Sequence, residues 1–100
     1  FDPIPGALHT EVYHGGLQHG TYNHAAMFAY INGTFLLMWK NGATTEDKDG
    51  QRILYSTSTD GVTWSQTDGT NVLFPALSTA EQECAMFVGP PAHLNGRVYA

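Results

Sequence analysis

Two apolar runs separated by two residues form the clearest pattern in the chain. Residues 25–31 and 34–40 are each of strand length, and Asn32-Gly33 between them is a pair that accepts positive φ at both central positions of a tight turn. The pattern predicts a β-hairpin. Both arms are nearly continuously apolar, which suits central strands covered on both faces. A polar loop over 41–50 follows, carrying Glu46, Asp47, Lys48 and Asp49. β-Prone residues return over 51–57, Asp60-Gly61 predicts a reversal, and a fourth strand is expected over 62–66, with a continuation at 71–74 after Asp68-Gly69. Residues 1–23 are punctuated by Gly6, Gly15, Gly16 and Gly20 and show little alternation, which predicts ordered loop with one short strand near 10–13. No helix longer than two turns is expected.

The opening hairpin recurs. The nine residues from Phe28 to Leu36 align with those from Pro91 to Tyr99, so that Asn32-Gly33 matches Asn95-Gly96 at an offset of 63 residues. Four antiparallel strands make one blade of a β-propeller, and a blade cannot bury both faces alone. The expectation is therefore an all-β fragment of about one and a half blades, a partial propeller domain over 1–100. Its first full blade would span about 24–74 and the next would begin at about 85–100.

Composition narrows the partners. A 100-residue chain with 42% hydrophobic residues can bury one modest core. Four basic residues against nine acids give a formal net charge of −5, which argues against nucleic acid or an anionic membrane surface. No apolar run approaches the ~20 residues of a membrane-spanning helix. The first residues look like a trimmed start, so the missing leader says little about compartment. Cys84 is the sole cysteine, which excludes an internal disulfide and a multi-cysteine zinc site; it reads as a small buried apolar residue, and the alternative, a nucleophile, is disfavoured by Glu81 and Glu83, which would raise the thiol's pKa. Asn32-Gly33-Thr34 is a glycosylation sequon as well as a turn.

Ser58, Asp60, Gly61, Thr63 and Trp64 form the pattern S-x-D-G-x-T-W. It resembles the short Asp-box of sialidase-like β-propellers, where the box builds a hairpin turn away from the active site. The wider order resembles the branch of that superfamily containing polysaccharide lyases, such as ulvan and rhamnose–glucuronate lyases. That order is Asn23-His24-Ala25-Ala26, the apolar hairpin, Lys40-Asn41-Gly42, an acidic loop, Gly50-Gln51-Arg52 and the box. The resemblance implies a seven-bladed, secreted or extracellular, monomeric enzyme whose central pocket binds an acidic oligosaccharide or polysaccharide. Its implied reaction is β-elimination beside a uronic acid, with release of terminal rhamnose as one form. It implies no resident cofactor, though a structural or substrate-bridging divalent cation fits the chemistry.

β-Elimination makes three demands. The sugar carboxylate must be neutralised, a base must remove the C5 proton, and an acid must protonate the departing oxygen. His24, at the start of a buried strand, is the first choice for proton transfer, with Tyr22 beside it. Arg52 is the candidate carboxylate clamp through its planar fork. Asn23, His19 and Asn41 are supporting substrate contacts. Each has a plainer reading: His24 capping a strand, Arg52 in a surface pair with Glu46 or Asp49, and Tyr22 in packing. His9, His14, His19 and His24 recur every five residues, a spacing that fits no single face, so zinc binding would need loop folding to gather them. Glu46, Asp47 and Asp49 form an acidic loop that could hold calcium or simply be solvated. Two other functions stay open. A sialidase-type exo-glycosidase would need an arginine before the first blade, where Pro3-Ile4-Pro5 stands instead. A non-catalytic glycan-binding propeller would use Tyr13, Tyr22 and Trp39 as stacking platforms.

Overall fold

A computed structural model describes residues 4–45, 50–65, 68–76, 92–95 and 97–99. Its main element is a four-stranded antiparallel sheet in the order β1 (Tyr22–Ile31), β2 (Thr34–Gly42), β3 (Arg52–Ser58) and β4 (Val72–Phe74). A separate antiparallel hairpin is formed by β5 (Ala92–Leu94) and β6 (Arg97–Tyr99). The described residues contain strands and no helix. This is the all-β, four-stranded blade architecture expected from the hairpin pattern.

The hairpin turn is built as its chemistry requires. Asn32 and Gly33 adopt φ of 50° and 80°, and Ile31 pairs with Thr34 across the two-residue loop. Both central residues at positive φ give the turn whose twist matches that of the strands. Asn95, at the equivalent point of the second hairpin, has the same φ of 50°, with Leu94 paired to Arg97. The repeat read from the sequence is thus a repeat of backbone conformation as well.

The core sits on the two central strands. Met38 and Ile53 are buried on one face, and Trp39 and Leu54, cross-strand partners, on the other. The 4–21 segment covers the second face: Tyr13 lies against Trp39 with ring centroids 5.3 Å apart. Coverage of both faces holds for β2 and fails for β1. The latter is the edge strand, and beyond the Ala25–Ala26 step its residues alternate between half-buried and exposed, with Phe28 and Tyr30 more than half exposed.

Two expected strands are absent. Residues 10–13 are not strand, and the local order there is an isolated bridge between Gly16 and Gly20. Residues 62–65, from the expected strand 62–66, form bend and irregular structure, and the fourth strand begins only at Val72. The physical reason is Asp60. Its Oδ1 accepts the backbone N–H groups of Val62 and Thr63 at 2.8 and 2.7 Å, taking the donors a strand would use in its ladder. Only the Ser65 N–H returns to β3, bonding the Thr57 carbonyl at 2.8 Å.

One irregularity in β1 matters for the site. His24 pairs with Lys40 and Met27 with Met38, so three residue steps on β1 oppose two on β2. This is a β-bulge at Ala25 and Ala26, and Ala25 takes a left-handed φ of 55°. Because successive side chains alternate faces, the inserted residue reverses which face each residue N-terminal to it presents.

Candidate functional site

Three polar residues stand in one row across the sheet. Asn23 of β1 pairs with Asn41 of β2, which pairs with Arg52 of β3, and residues paired directly across strands share a face. Their side chains form a chain of bonds. The Arg52 Nε–H donates to Asn41 Oδ1 at 2.8 Å, and Asn41 Nδ2 donates to Asn23 Oδ1 at 2.9 Å. Arginine only donates, so it must meet the amide oxygen of Asn41, and this fixes the orientation of the buried amide. Asn41 is 1% exposed, and both ends of its amide are satisfied.

The loop before β1 completes the setting. Arg52 Nη2 donates to the His19 carbonyl at 3.0 Å, and the Tyr13 hydroxyl donates to the same oxygen at 3.2 Å. The loop stays close to the sheet because Gly20 permits it. Gly20 has a φ of 93°, and a Cβ there would collide with the Gly42 carbonyl oxygen and lie 3.0 Å from Asn41 Nδ2. Thr21 then donates through both its N–H and its hydroxyl to the Ala43 carbonyl, at 2.9 and 3.0 Å.

Arg52 is therefore held from two directions and half-buried, on the wall of an open cleft of about 430 Å³ shared with His19, Asn41 and Val72. Two of its five N–H groups have these partners. Among the described residues no carboxylate pairs with it. Such a guanidinium can receive a carboxylate from outside through a two-point grip.

The predicted residues separate into groups. His19, Asn41 and Arg52 share this cleft, and Asn23 is bonded to it through Asn41. His24 and Tyr22 are not gathered there. In the ladder His24 pairs with Lys40, on the face opposite Asn41; its ring lies 6.0 Å from that of Tyr22, and Lys40 Nζ lies 5.8 Å from the Tyr22 ring. The buried Lys40, 2% exposed, is a feature that sequence reading missed, since a lysine ending an apolar run looks like a strand terminus. His24 borders a second cleft, with Tyr13, Asn23 and Trp39.

The four spaced histidines stay dispersed. His14 Nδ1 is 3.2 Å from Glu11 Oε2, both exposed, while His19 and His24 border different clefts. Among the described residues no group of three or more His, Cys, Asp or Glu is placed to hold a metal ion. Glu46, Asp47, Asp49 and Cys84 lie outside the described residues.

The turn at 58–64 lies at the other end of β3, six residue steps or ~20 Å from Arg52. Ser58 Oγ accepts the N–H groups of Asp60 and Gly61 at 3.3 and 2.8 Å and donates to Asp60 Oδ1 at 3.0 Å. The Thr63 and Val62 N–H groups, with the Ser58 hydroxyl, lower the Asp60 pKa to about 2. Gly61, at φ 74°, sits against the Phe35 ring. Trp64 is half-buried. Asp60 thus spends its acceptor capacity on the turn. Asp68 does the same one turn later: the Thr70 hydroxyl and N–H hold its carboxyl below the usual range.

Comparison with known proteins gives one family. A family model described as the BT_1020-like, N-terminal beta propeller matches residues 8–88. No curated protein and no solved structure matches the chain significantly. The match covers the row of Asn23, Asn41 and Arg52, the four-stranded sheet and the turn at Asp60. With most of its length matched and a four-stranded antiparallel blade at its centre, the chain belongs to the BT_1020-like N-terminal beta-propeller family.

Proposed function

We propose that the protein is a carbohydrate-active propeller that binds a uronic acid and cleaves the neighbouring glycosidic bond by β-elimination. The observation that supports this reading is Arg52, fixed by Asn41 and the His19 carbonyl on the wall of an open cleft, with no described carboxylate against it. A bound uronate would place its carboxylate on the remaining N–H groups, which draws charge from C5 and stabilises the carbanion-like state. A base takes the C5 proton, the C–H electrons form the C4–C5 double bond, the C4–O bond breaks, and the departing oxygen gains a proton. His19 is the described imidazole on the same cleft and takes the proton-transfer role in this reading; His24, across the sheet, does not.

The product carries a double bond conjugated with its carboxylate, so turnover on uronate-containing glycans should raise ultraviolet absorbance, whereas a sialidase-type hydrolysis would not. His19→Ala should lower the rate about 10²–10⁴-fold, as loss of one proton-transfer group does, with His24→Ala much less affected. Arg52→Lys and Asn41→Asp should both weaken binding of glucuronate, the first by losing the two-point grip and the second by giving Arg52 an internal carboxylate. Absence of unsaturated product from every uronate-containing glycan offered, whether its neighbouring unit is acidic or neutral, would overturn the lyase reading.

A second reading is a glycan-binding propeller without catalysis. It is favoured by the count of titratable groups: elimination needs a base and an acid, and the Arg52 cleft has one described imidazole. Under it, Arg52→Lys abolishes glucuronate binding and no uronate-containing glycan is cleaved.

A further inference from the structure

The second cleft differs from the first in chemistry. It holds about 440 Å³, within the range of small-molecule sites, and is bordered by Glu11, Tyr13, Asn23, His24, Leu37 and Trp39. Its floor is aromatic. The Tyr13 and Trp39 rings meet at 5.3 Å and 40°, and Tyr13 is tethered through its hydroxyl to the His19 carbonyl. Trp39 is 5% exposed, and its buried Nε1–H has no acceptor among the described residues. An orphaned donor of this kind costs free energy unless an acceptor arrives. At the rim stands Glu11, whose Oε2 is 3.2 Å from His14 Nδ1.

The two clefts share their wall. Asn23 borders the second cleft and accepts from Asn41, which accepts from Arg52 in the first; the His19 carbonyl accepts from both Arg52 and Tyr13. We infer that the Tyr13–Trp39 cleft is a subsite for a neutral pyranose unit, adjoining the uronate held at Arg52. The half-buried Tyr13 ring, backed by Trp39, takes the C–H face of an uncharged sugar, and the exposed Glu11 carboxylate accepts from hydroxyls while repelling a second uronate. The pairing of an arginine cleft with a carboxylate-rimmed aromatic cleft thus selects a disaccharide of one acidic and one neutral unit. The inference rests on the carbohydrate reading above.

The test titrates the whole protein separately with sodium glucuronate and with the methyl glycosides of glucose, galactose and mannose, following the two indole N–H resonances by NMR. At least one methyl glycoside should shift the Trp39 resonance and leave that of Trp64 unmoved. Its affinity should fall about fivefold or more in Glu11→Gln and Tyr13→Ser, the worth of a hydrogen bond or a stacking face. Glucuronate affinity should fall in Arg52→Lys and hold in Glu11→Gln. If Tyr13→Ser misfolds, Glu11→Gln carries the decision, because Glu11 is exposed. Failure of all three glycosides to move Trp39, or binding indifferent to both Glu11→Gln and Tyr13→Ser, overturns the subsite. Glucuronate bound normally in the same titration would show that the uronate reading stands without it.

Discussion

Asn41 shows how one side chain can join structure to recognition. Its carboxamide both accepts and donates, so it can orient a guanidinium through its oxygen and hold Asn23 through its nitrogen. A leucine of similar size would leave Arg52 and Asn23 without those bonds. Asp60 is the contrasting case, a carboxylate committed to its own turn. Its folded pKa of about 2 lies below the unfolded value of about 4, so its contribution is fully present above the unfolded value and lost as pH falls through the folded one. Thermal midpoints of the wild type and Asp60→Asn should therefore differ by a few degrees near neutral pH and converge as pH falls from about 4 to about 2. A gap that stays constant over that window would mean that the charge of Asp60 has no part in the turn. The Asp-Gly reversal was legible because its chemistry is local; the partners of Asn41 were not, since Arg52 lies 11 residues away and Asn23 lies 18.

At the scale of elements, the bulge in β1 decides which residues meet. If the register of Met27 with Met38 continued without it, His24 would stand opposite Asn41, in the row of Arg52. With the bulge, Asn23 takes that position and His24 moves to the face of Lys40 and Tyr22. Ala25 bears the backbone cost, because a left-handed φ brings Cβ close to the following carbonyl, at ~1–2 kcal/mol for an L-residue. Ala25→Gly should hence be neutral or stabilise by up to ~1 kcal/mol, and Ala25→Val should destabilise by ~1–2 kcal/mol, read from urea midpoints at constant slope. Equal stability of the two variants would show that the bulge carries no such strain. A run of two alanines gives no signal for a bulge, since alanine has neither the polar side chain nor the missing Cβ that marks a left-handed residue. The absence of the strand expected over 62–66 was hidden for a related reason: Val62-Thr63-Trp64 is β-prone by residue type, and a single carboxylate outcompetes that preference.

Across the whole molecule, charge and recognition point in opposite directions. The chain carries a formal net charge of −5, while the proposed ligand is anionic and is attracted only at close range by Arg52. Added salt shortens the screening length to about 8 Å at 0.15 M and weakens the long-range repulsion first. Stopped-flow association of a polyuronate should consequently speed up with ionic strength, while the affinity for single glucuronate falls. A slower association in salt would point to a positively charged approach that these residues do not provide. The antiparallel hairpin at Asn32-Gly33, its repeat at Asn95, the reversal at Asp60 and the central burial of β2 could all be read from the residues alone, because each depends on neighbouring residues or on simple apolar patterning. That Arg52 faces Asn23, Asn41 and the His19 carbonyl and turns away from His24 emerges from the folded sheet. That choice rests on strand register and a one-residue bulge, and a shift of one residue exchanges the two faces of a strand without changing its apolar content.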